Sequence, residues 1–253
     1  MPRFPASGLL QKKSAGEKIT CLTAYDAFTS NVLEDAGLDI ILVGDSLGNV
    51  VLGYPDTRQV TIEDMIRHTA AVRRGARNSF ITADLPYFTV SSGTDQIKKD
   101  SLSLINQAGA DAVKIEGVFD LEAIKELAAL GINVMGHLGY LPQSCSRPAL
   151  TGRDAESAKK LGEEALLLQQ AGVFAIVLEL VEENTASAIS KSLNIPTIGI
   201  GSGKDCDGQV LVTNDIAGLT FGKVPGFAKK YDDLGNRLKA CVKSFVSDVK
   251  RSS

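Results

Sequence analysis

One local phrase recurs along this chain and restricts its fold more than any other feature. A helical segment ends on a glycine and a β-rich run starts within two residues: Ala36-Gly37-Leu38-Asp39, Ala108-Gly109-Ala110-Asp111, Leu130-Gly131-Ile132-Asn133 and Ala171-Gly172-Val173-Phe174. Each glycine stands where a helix C-terminus favours a left-handed residue. A strand follows at once, as a short αβ loop requires. The pattern predicts strands over 19–25, 39–44, 79–83, 112–115, 133–136, 174–178, 197–200 and 209–212. Most are continuous runs of Val, Ile and Leu, which suit strands buried on both faces of a parallel sheet. Between them apolar residues recur with a helical period over 27–36, 62–74, 95–108, 121–130, 157–171 and 183–192, and a last helix is expected over 232–250. Eight strands in 253 residues make about 32 residues per unit, the size of one βα module. No Pro/Gly/Ser-rich linker divides the chain. The expectation is an α/β protein, a single (β/α)8 TIM barrel over 1–253 with 1–17 as an N-terminal extension; a doubly wound open sheet is the alternative.

Composition removes several function classes. With 27 basic and 30 acidic residues the net charge is -3, so no basic excess exists to neutralise phosphates, and no nucleic-acid partner is expected. Trp is absent and aromatics make up 6%, which leaves little for a base-stacking surface. Cys21, Cys145, Cys206 and Cys241 are scattered, with no C-x-x-C. They read as reduced thiols of a reducing compartment, not a zinc site. The segment 1–18 has no apolar signal core, and no run approaches the ~18 apolar residues of a membrane span. A cytoplasmic protein without membrane contact is expected.

In such barrels the active site lies at the C-terminal ends of the strands. Here nearly every expected strand end carries an ionisable group: Asp26, Asp45, Asp84, Lys114 with Glu116, His137, Glu179 and Asp215. A single strand-end Asp is ordinary turn chemistry. Four acids at one mouth, Asp45, Asp84, Glu116 and Glu179, offset only by Lys114 and His137, repel one another unless a cation joins them. An oxygen-only set favours a hard ion, Mg2+ or Mn2+. Lys114 and Glu116 are two apart on a strand and so share a face. The glycine-rich stretch 199–203 is either a phosphate cradle or a tight turn. His68 is expected on a helix face, and the run from Arg73 to Arg77 as a solvated helix end.

The segments Leu22-Thr23-Ala24-Tyr25-Asp26, Val43-Gly44-Asp45-Ser46-Leu47-Gly48, His68-Thr69-Ala70-Ala71-Val72-Arg73-Arg74-Gly75, Ala83-Asp84-Leu85-Pro86, Val113-Lys114-Ile115-Glu116-Gly117, Gly136-His137-Leu138-Gly139, Pro142-Gln143-Ser144, Ile198-Gly199-Ile200-Gly201 and Cys206-Asp207-Gly208-Gln209-Val210, in this order, resemble the ketopantoate hydroxymethyltransferase family over most of the chain. The resemblance implies an enzyme that moves a hydroxymethyl unit from 5,10-methylenetetrahydrofolate to 3-methyl-2-oxobutanoate, giving ketopantoate for pantothenate and coenzyme A biosynthesis. It implies one Mg2+ per subunit, held or surrounded by Asp45, Asp84 and Glu116. The 2-oxo acid would contact Asp45, Ser46, Asp84 and Lys114, with His137 beside it, and Glu179 matches the family's catalytic proton acceptor. A homo-oligomer, commonly a decamer, is implied as well. The chemistry agrees: an ion gripped by a keto acid stabilises the enolate formed at C3. Val118 and the stretch 145–153 depart from the family pattern. Two other readings stand beside this one, another Mg2+-dependent 2-oxo-acid lyase or mutase barrel and a non-catalytic ligand-binding barrel.

Overall fold

The computed structural model describes residues 5–145, 147–220, 222 and 224–251. In chain order the elements are α1 (Ala6–Ala15), β1 (Ile19–Thr23), α2 (Ala27–Asp35), β2 (Ile40–Val43), α3 (Leu47–Val50), a 3-10 turn (Thr57–Gln59), α4 (Ile62–Gly75), β3 (Phe80–Asp84), α5 (Tyr87–Ser91), α6 (Thr94–Asn106), β4 (Ala112–Glu116), α7 (Leu121–Ala129), β5 (Asn133–Gly139), α8 (Ala155–Ala171), β6 (Ala175–Glu179), α9 (Glu183–Ser192), β7 (Thr197–Ile200), β8 (Gly208–Leu211), α10 (Thr213–Ala217) and α11 (Leu234–Arg251). The strands close into a barrel in the order β1 to β8. Neighbours from β1 to β8 pair in parallel, and the Ile19 N–H donates to the Asp207 carbonyl (3.0 Å) where β8 returns to β1. The eight-stranded barrel expected from the glycine-punctuated repeat is the observed fold.

The strand interiors explain where the chemistry collects. One apolar cluster fills the barrel itself and includes Ile40, Phe80, Ala112, Met135, Ala175, Val177 and Ile198, with Leu9 of α1 fully buried among them. Side chains on a strand alternate in direction. Counting in twos from Phe80, Ala112, Met135 and Ala175 therefore points Asp84, Glu116, His137 and Glu179 into the same interior, one or two layers higher. The barrel is apolar at its floor and charged at its mouth. A second, larger cluster, including Ile41, Ile81, Val113, Val134 and Ile176, packs the outer strand faces against the helices. The continuous hydrophobic runs of the sequence come from strands that serve both clusters.

Expected and observed strands agree to within one or two residues, except at β5. That strand runs to Gly139 because it pairs with β4 as far as Glu116↔His137 and with β6 two residues further, to Gly139↔Glu179. His137 is thus inside the sheet instead of beyond it. Helices α3, α5 and α10 and the 3-10 turn have no counterpart in the expectation; four or five residues are too few to show a helical period. Helix α1 forms within 1–17, anchored by Lys13 Nζ to Asp207 Oδ2 (2.7 Å) and to the Ser190 carbonyl (2.8 Å).

By compactness the chain resolves into Met1–Val210 and Leu211–Ser253. In the second unit the Tyr231 N–H donates to Ile216 (2.8 Å) and the Gly235 N–H to Gly218 (3.2 Å). Its long helix α11 has no buried residue, and Leu238, Val242, Phe245 and Val249 form an exposed apolar stripe. Among the described residues no helix is long and apolar enough to cross a membrane.

Candidate active site

The parallel register builds the site. It sets Asp84 of β3 opposite Lys114 of β4, Glu116 of β4 opposite His137 of β5, and Gly139 of β5 opposite Glu179 of β6. The seven site residues named from the sequence meet there: Asp45, Ser46, Asp84, Lys114, Glu116, His137 and Glu179. The Asp45 N–H donates to Asp84 Oδ2 (3.0 Å). Lys114 Nζ lies 2.9 Å from Asp84 Oδ1 and 3.4 Å from His137 Nδ1. The imidazole spans two acids, with Nδ1 3.5 Å from Glu116 Oε1 and Nε2 3.2 Å from Glu179 Oε2. Asp45, Asp84, Lys114, Glu116 and His137 are buried; Ser46 and Glu179, the latter's side chain 17% exposed, are half-buried.

This crowding sets the charges. Burial, then Asp84 and Glu116, push the Asp45 carboxyl up to about 7. Burial likewise raises Asp84, and Lys114 only partly offsets it. Burial opposes the charge on Lys114, yet Asp84, Glu116 and Asp45 outweigh it and hold the ammonium above its ordinary range. Burial and Lys114 oppose protonation of His137, but the carboxylates of Glu116 and Glu179 prevail and raise it to about 9. The two carboxylates thus favour the protonated form of the imidazole. Glu116 is also desolvated, but His137, Lys114 and the Gln143 N–H keep it below its usual value.

The donors suit a hard divalent cation. All are oxygens, and the buried Asp84 Oδ1 has the Lys114 ammonium as its neighbour at 2.9 Å. An added positive charge would relieve both raised aspartates. Among the described residues no three His, Cys, Asp or Glu side chains converge as a ready-made cage. Mg2+ does not need one, because it takes one or two protein carboxylates and completes its shell with water and substrate oxygens.

Further groups shape the site, of which Gln143, Tyr25 and Leu180 have no role in the sequence reading. Gln143, on the loop after β5, donates from Nε2 to Asp45 Oδ2 (2.9 Å) and from its backbone N–H to Glu116 Oε2 (3.1 Å). The Tyr25 hydroxyl and Ser46 Oγ are hydrogen-bonded (2.8 Å), and His68 Nδ1 of α4 lies 2.6 Å from the Tyr25 carbonyl. Leu180 has φ 48, a left-handed conformation rare outside glycine. It turns the chain sharply after Glu179. That turn is braced: the Tyr140 N–H donates to the Glu179 carbonyl (2.8 Å), the Thr151 N–H to the Leu180 carbonyl (2.8 Å) and the Val181 N–H to Ser202 Oγ (2.9 Å). Within the glycine-rich stretch 199–203, Gly199 and Ile200 end β7, Gly201 and Gly203 have left-handed φ, and Ser202 supports the end of β6. Thr151 brings the unusual 145–153 segment against the same turn.

The other two strand-end acids, Asp26 and Asp215, are engaged within their own segments. Asp26 caps α2 by accepting from the Thr29 N–H (2.8 Å), and Asp215 lies on α10, bonded to Thr220. Arg73 is not solvated, contrary to expectation. Its guanidinium donates to the carbonyls of Gly109, Ala76 and Ser79 and pairs with Asp111, so loop carbonyls replace water around it.

Known proteins share both the fold and the sequence. A phosphonopyruvate hydrolase solved with oxalate and Mg++ superposes with a TM-score of 0.65 over 98% of this chain and 87% of its own, at 14% identity; that likeness concerns the fold alone. The sequence relation is of another order. The 3-methyl-2-oxobutanoate hydroxymethyltransferase of Acetivibrio thermocellus is 47% identical over 98% of this chain and 89% of that protein. The one of Pseudothermotoga lettingae is 49% identical over 94% and 92%. The family model for ketopantoate hydroxymethyltransferase matches residues 3–253. A lyase or mutase assignment is not favoured beside this. With its acidic barrel mouth intact and the match running from one end to the other, the chain belongs to the ketopantoate hydroxymethyltransferase family, a family of transferase enzymes.

Proposed function

We propose that this chain transfers a hydroxymethyl unit from 5,10-methylenetetrahydrofolate to 3-methyl-2-oxobutanoate, giving ketopantoate for pantothenate and coenzyme A synthesis in the cytoplasm. The observation that carries the reading is the pairing of buried, charge-crowded Asp45 and Asp84 with a half-buried, solvent-touched Glu179 on one barrel mouth. One divalent ion per subunit, Mg2+ in this reading, held by Asp45 and Asp84 with Glu116 beside them, would polarise the keto group when bound and so acidify C3. Ser46, Asp84 and Lys114 bind and orient the 2-oxo acid. Lys114, kept cationic by its three acids, faces the negative charge that develops on the keto oxygen as the C3 proton leaves. Glu179 takes that proton. His137 holds Glu179 by one carboxylate oxygen and steadies it for the transfer. The C3 carbanion then attacks the methylene carbon as one of its C–N bonds breaks, and water displaces the remaining folate nitrogen, which leaves the hydroxyl on the new carbon and releases tetrahydrofolate. Every residue used lies between Asp45 and Glu179, within one barrel domain read over 1–253.

The exposed stripe on α11 supports a homo-oligomer as the working species, a decamer by resemblance. The test of function is deuterium exchange at C3 of 3-methyl-2-oxobutanoate with Mg2+ and then with EDTA, followed by ketopantoate formation on adding the folate. Exchange that survives EDTA undiminished removes the ion from the reading, and exchange without folate-dependent product removes the transfer.

A further inference from the structure

Gln143 is 4% exposed and sits among acids. Its side chain reaches two acceptors, Asp45 Oδ2 and the Leu85 carbonyl, each 2.9 Å from Nε2. The Leu85 carbonyl only accepts, so the amide nitrogen must face it, and the second hydrogen of that nitrogen is directed to Asp45. Its backbone N–H is spent on Glu116 Oε2 (3.1 Å). Asp45 follows β2, Leu85 follows β3 and Glu116 ends β4. One residue thus ties three successive strand ends to the loop after β5. That loop is itself folded by the Ser144 and Cys145 N–H groups, both bonded to the Leu141 carbonyl, and by the Tyr140 N–H on Glu179.

We infer that Gln143 is a positioning residue for the acidic site: it fixes the orientation of Asp45 and Glu116 and thereby sets how tightly a divalent cation and the 2-oxo acid are held. The inference rests on the proposed function. Without Gln143, the Asp45 carboxylate is free to rotate among like charges, and Glu116 loses the loop that holds it. Hydrogen-bond partners behind metal-facing groups are worth about 10–100-fold in affinity or activity.

The test is Gln143→Met, which keeps the side-chain length and removes both donors, with Gln143→Ala beside it. Calorimetry with Mn2+ on the full chain should show affinity about tenfold weaker in both variants. The KM for 3-methyl-2-oxobutanoate in the C3 exchange assay should rise by about the same factor, while the exchange rate at saturating ion and acid stays within about threefold, because Gln143 does not touch Glu179. Affinity for Mn2+ within about twofold of the parent overturns the assignment, whether or not the unfolding midpoint falls, since a merely structural role would lower the midpoint alone. If Gln143→Met fails to fold, Gln143→Ala decides by the same readings. A parent protein that binds no Mn2+ brings down the ion in the proposed function and this inference with it; a parent that binds and variants that match it bring down only Gln143.

Discussion

The backbone N–H of Asp45 donates to Oδ2 of Asp84 across 3.0 Å. That bond seats one buried aspartate beside another, and the price shows in the Asp45 carboxyl, pushed up to about 7 by burial and by Asp84 and Glu116. Such crowding costs folding energy that an ion would relieve. Asp45→Asn keeps the shape and an oxygen for Gln143 while removing a charge. We expect it to stabilise the ion-free protein by about 1 kcal/mol in urea unfolding with EDTA, and to abolish ion-dependent C3 exchange. A loss of stability instead would mean that Asp45 is not strained in the folded protein.

Glu179 lies 3.2 Å from His137 Nε2 and keeps a face to solvent. Glu179→Gln preserves its size and its place beside the imidazole. The variant should bind 3-methyl-2-oxobutanoate within about threefold of the parent and lose C3 exchange by about a hundredfold or more. Undiminished exchange would remove Glu179 as the base.

Much of this site was legible in the sequence because strand geometry is regular. A period of two and a parallel register carry Lys114, Glu116 and Glu179 inward once the strands are found. What stayed hidden depends on contacts between distant segments. Gln143 looks like any loop amide until β2, β3 and β4 are closed around it. Nothing local marks Leu180 as left-handed, since leucine avoids that region on its own. Arg73 reads as solvated because the carbonyls that surround it belong to the turns around Gly109 and Ser79. Asp26 and Asp215 read as members of the mouth because a strand end and a helix start favour the same residue type.

Outside the site, Glu34 ties α2 to the turn before β3. Burial opposes its charge, but its carboxylate accepts from the Asn78 N–H (2.8 Å), the Ser79 N–H (2.7 Å) and Ser79 Oγ (2.8 Å), which hold it below its usual value. A depressed folded value means the contribution is complete above the unfolded one and disappears as pH falls through the folded one. Glu34→Gln should cost about 1 kcal/mol at pH 7, modest because the group is partly solvated. The gap between variant and parent should close on acidification below about pH 5. Unfolding curves at both ends of that range check it, and a gap that persists at low pH would contradict the assignment.

The stripe on α11 offers a test of assembly. Phe245 is 68% exposed, and Leu238, Val242 and Val249 continue its face. Large exposed apolar patches mark contact surfaces. Phe245→Asp places a charge there and should shift the mass seen by light scattering toward smaller species, with the fold retained by circular dichroism. An unchanged oligomer would place the interface elsewhere.

Gly139 closes β5 against the carbonyl of Glu179. It has φ +96, and a Cβ there would stand 2.2 Å from the Glu179 oxygen and 2.7 Å from Val181 Cγ2. Neither neighbour is the free end of a flexible chain, so β6 must move to admit a methyl group. Gly139→Ala should cost about 3 kcal/mol, combining the clash with left-handed strain, and should lower kcat more than it raises KM, because Glu179 shifts with its carbonyl. Gly131 is the control. It is also left-handed, at φ +76, with nothing within 4 Å of the added atom. Gly131→Ala should therefore cost only the conformational term, about 1 kcal/mol, and leave exchange untouched. Equal losses of stability and activity in the two variants would show that backbone conformation, and not the approach to Glu179, governs the Gly139 position.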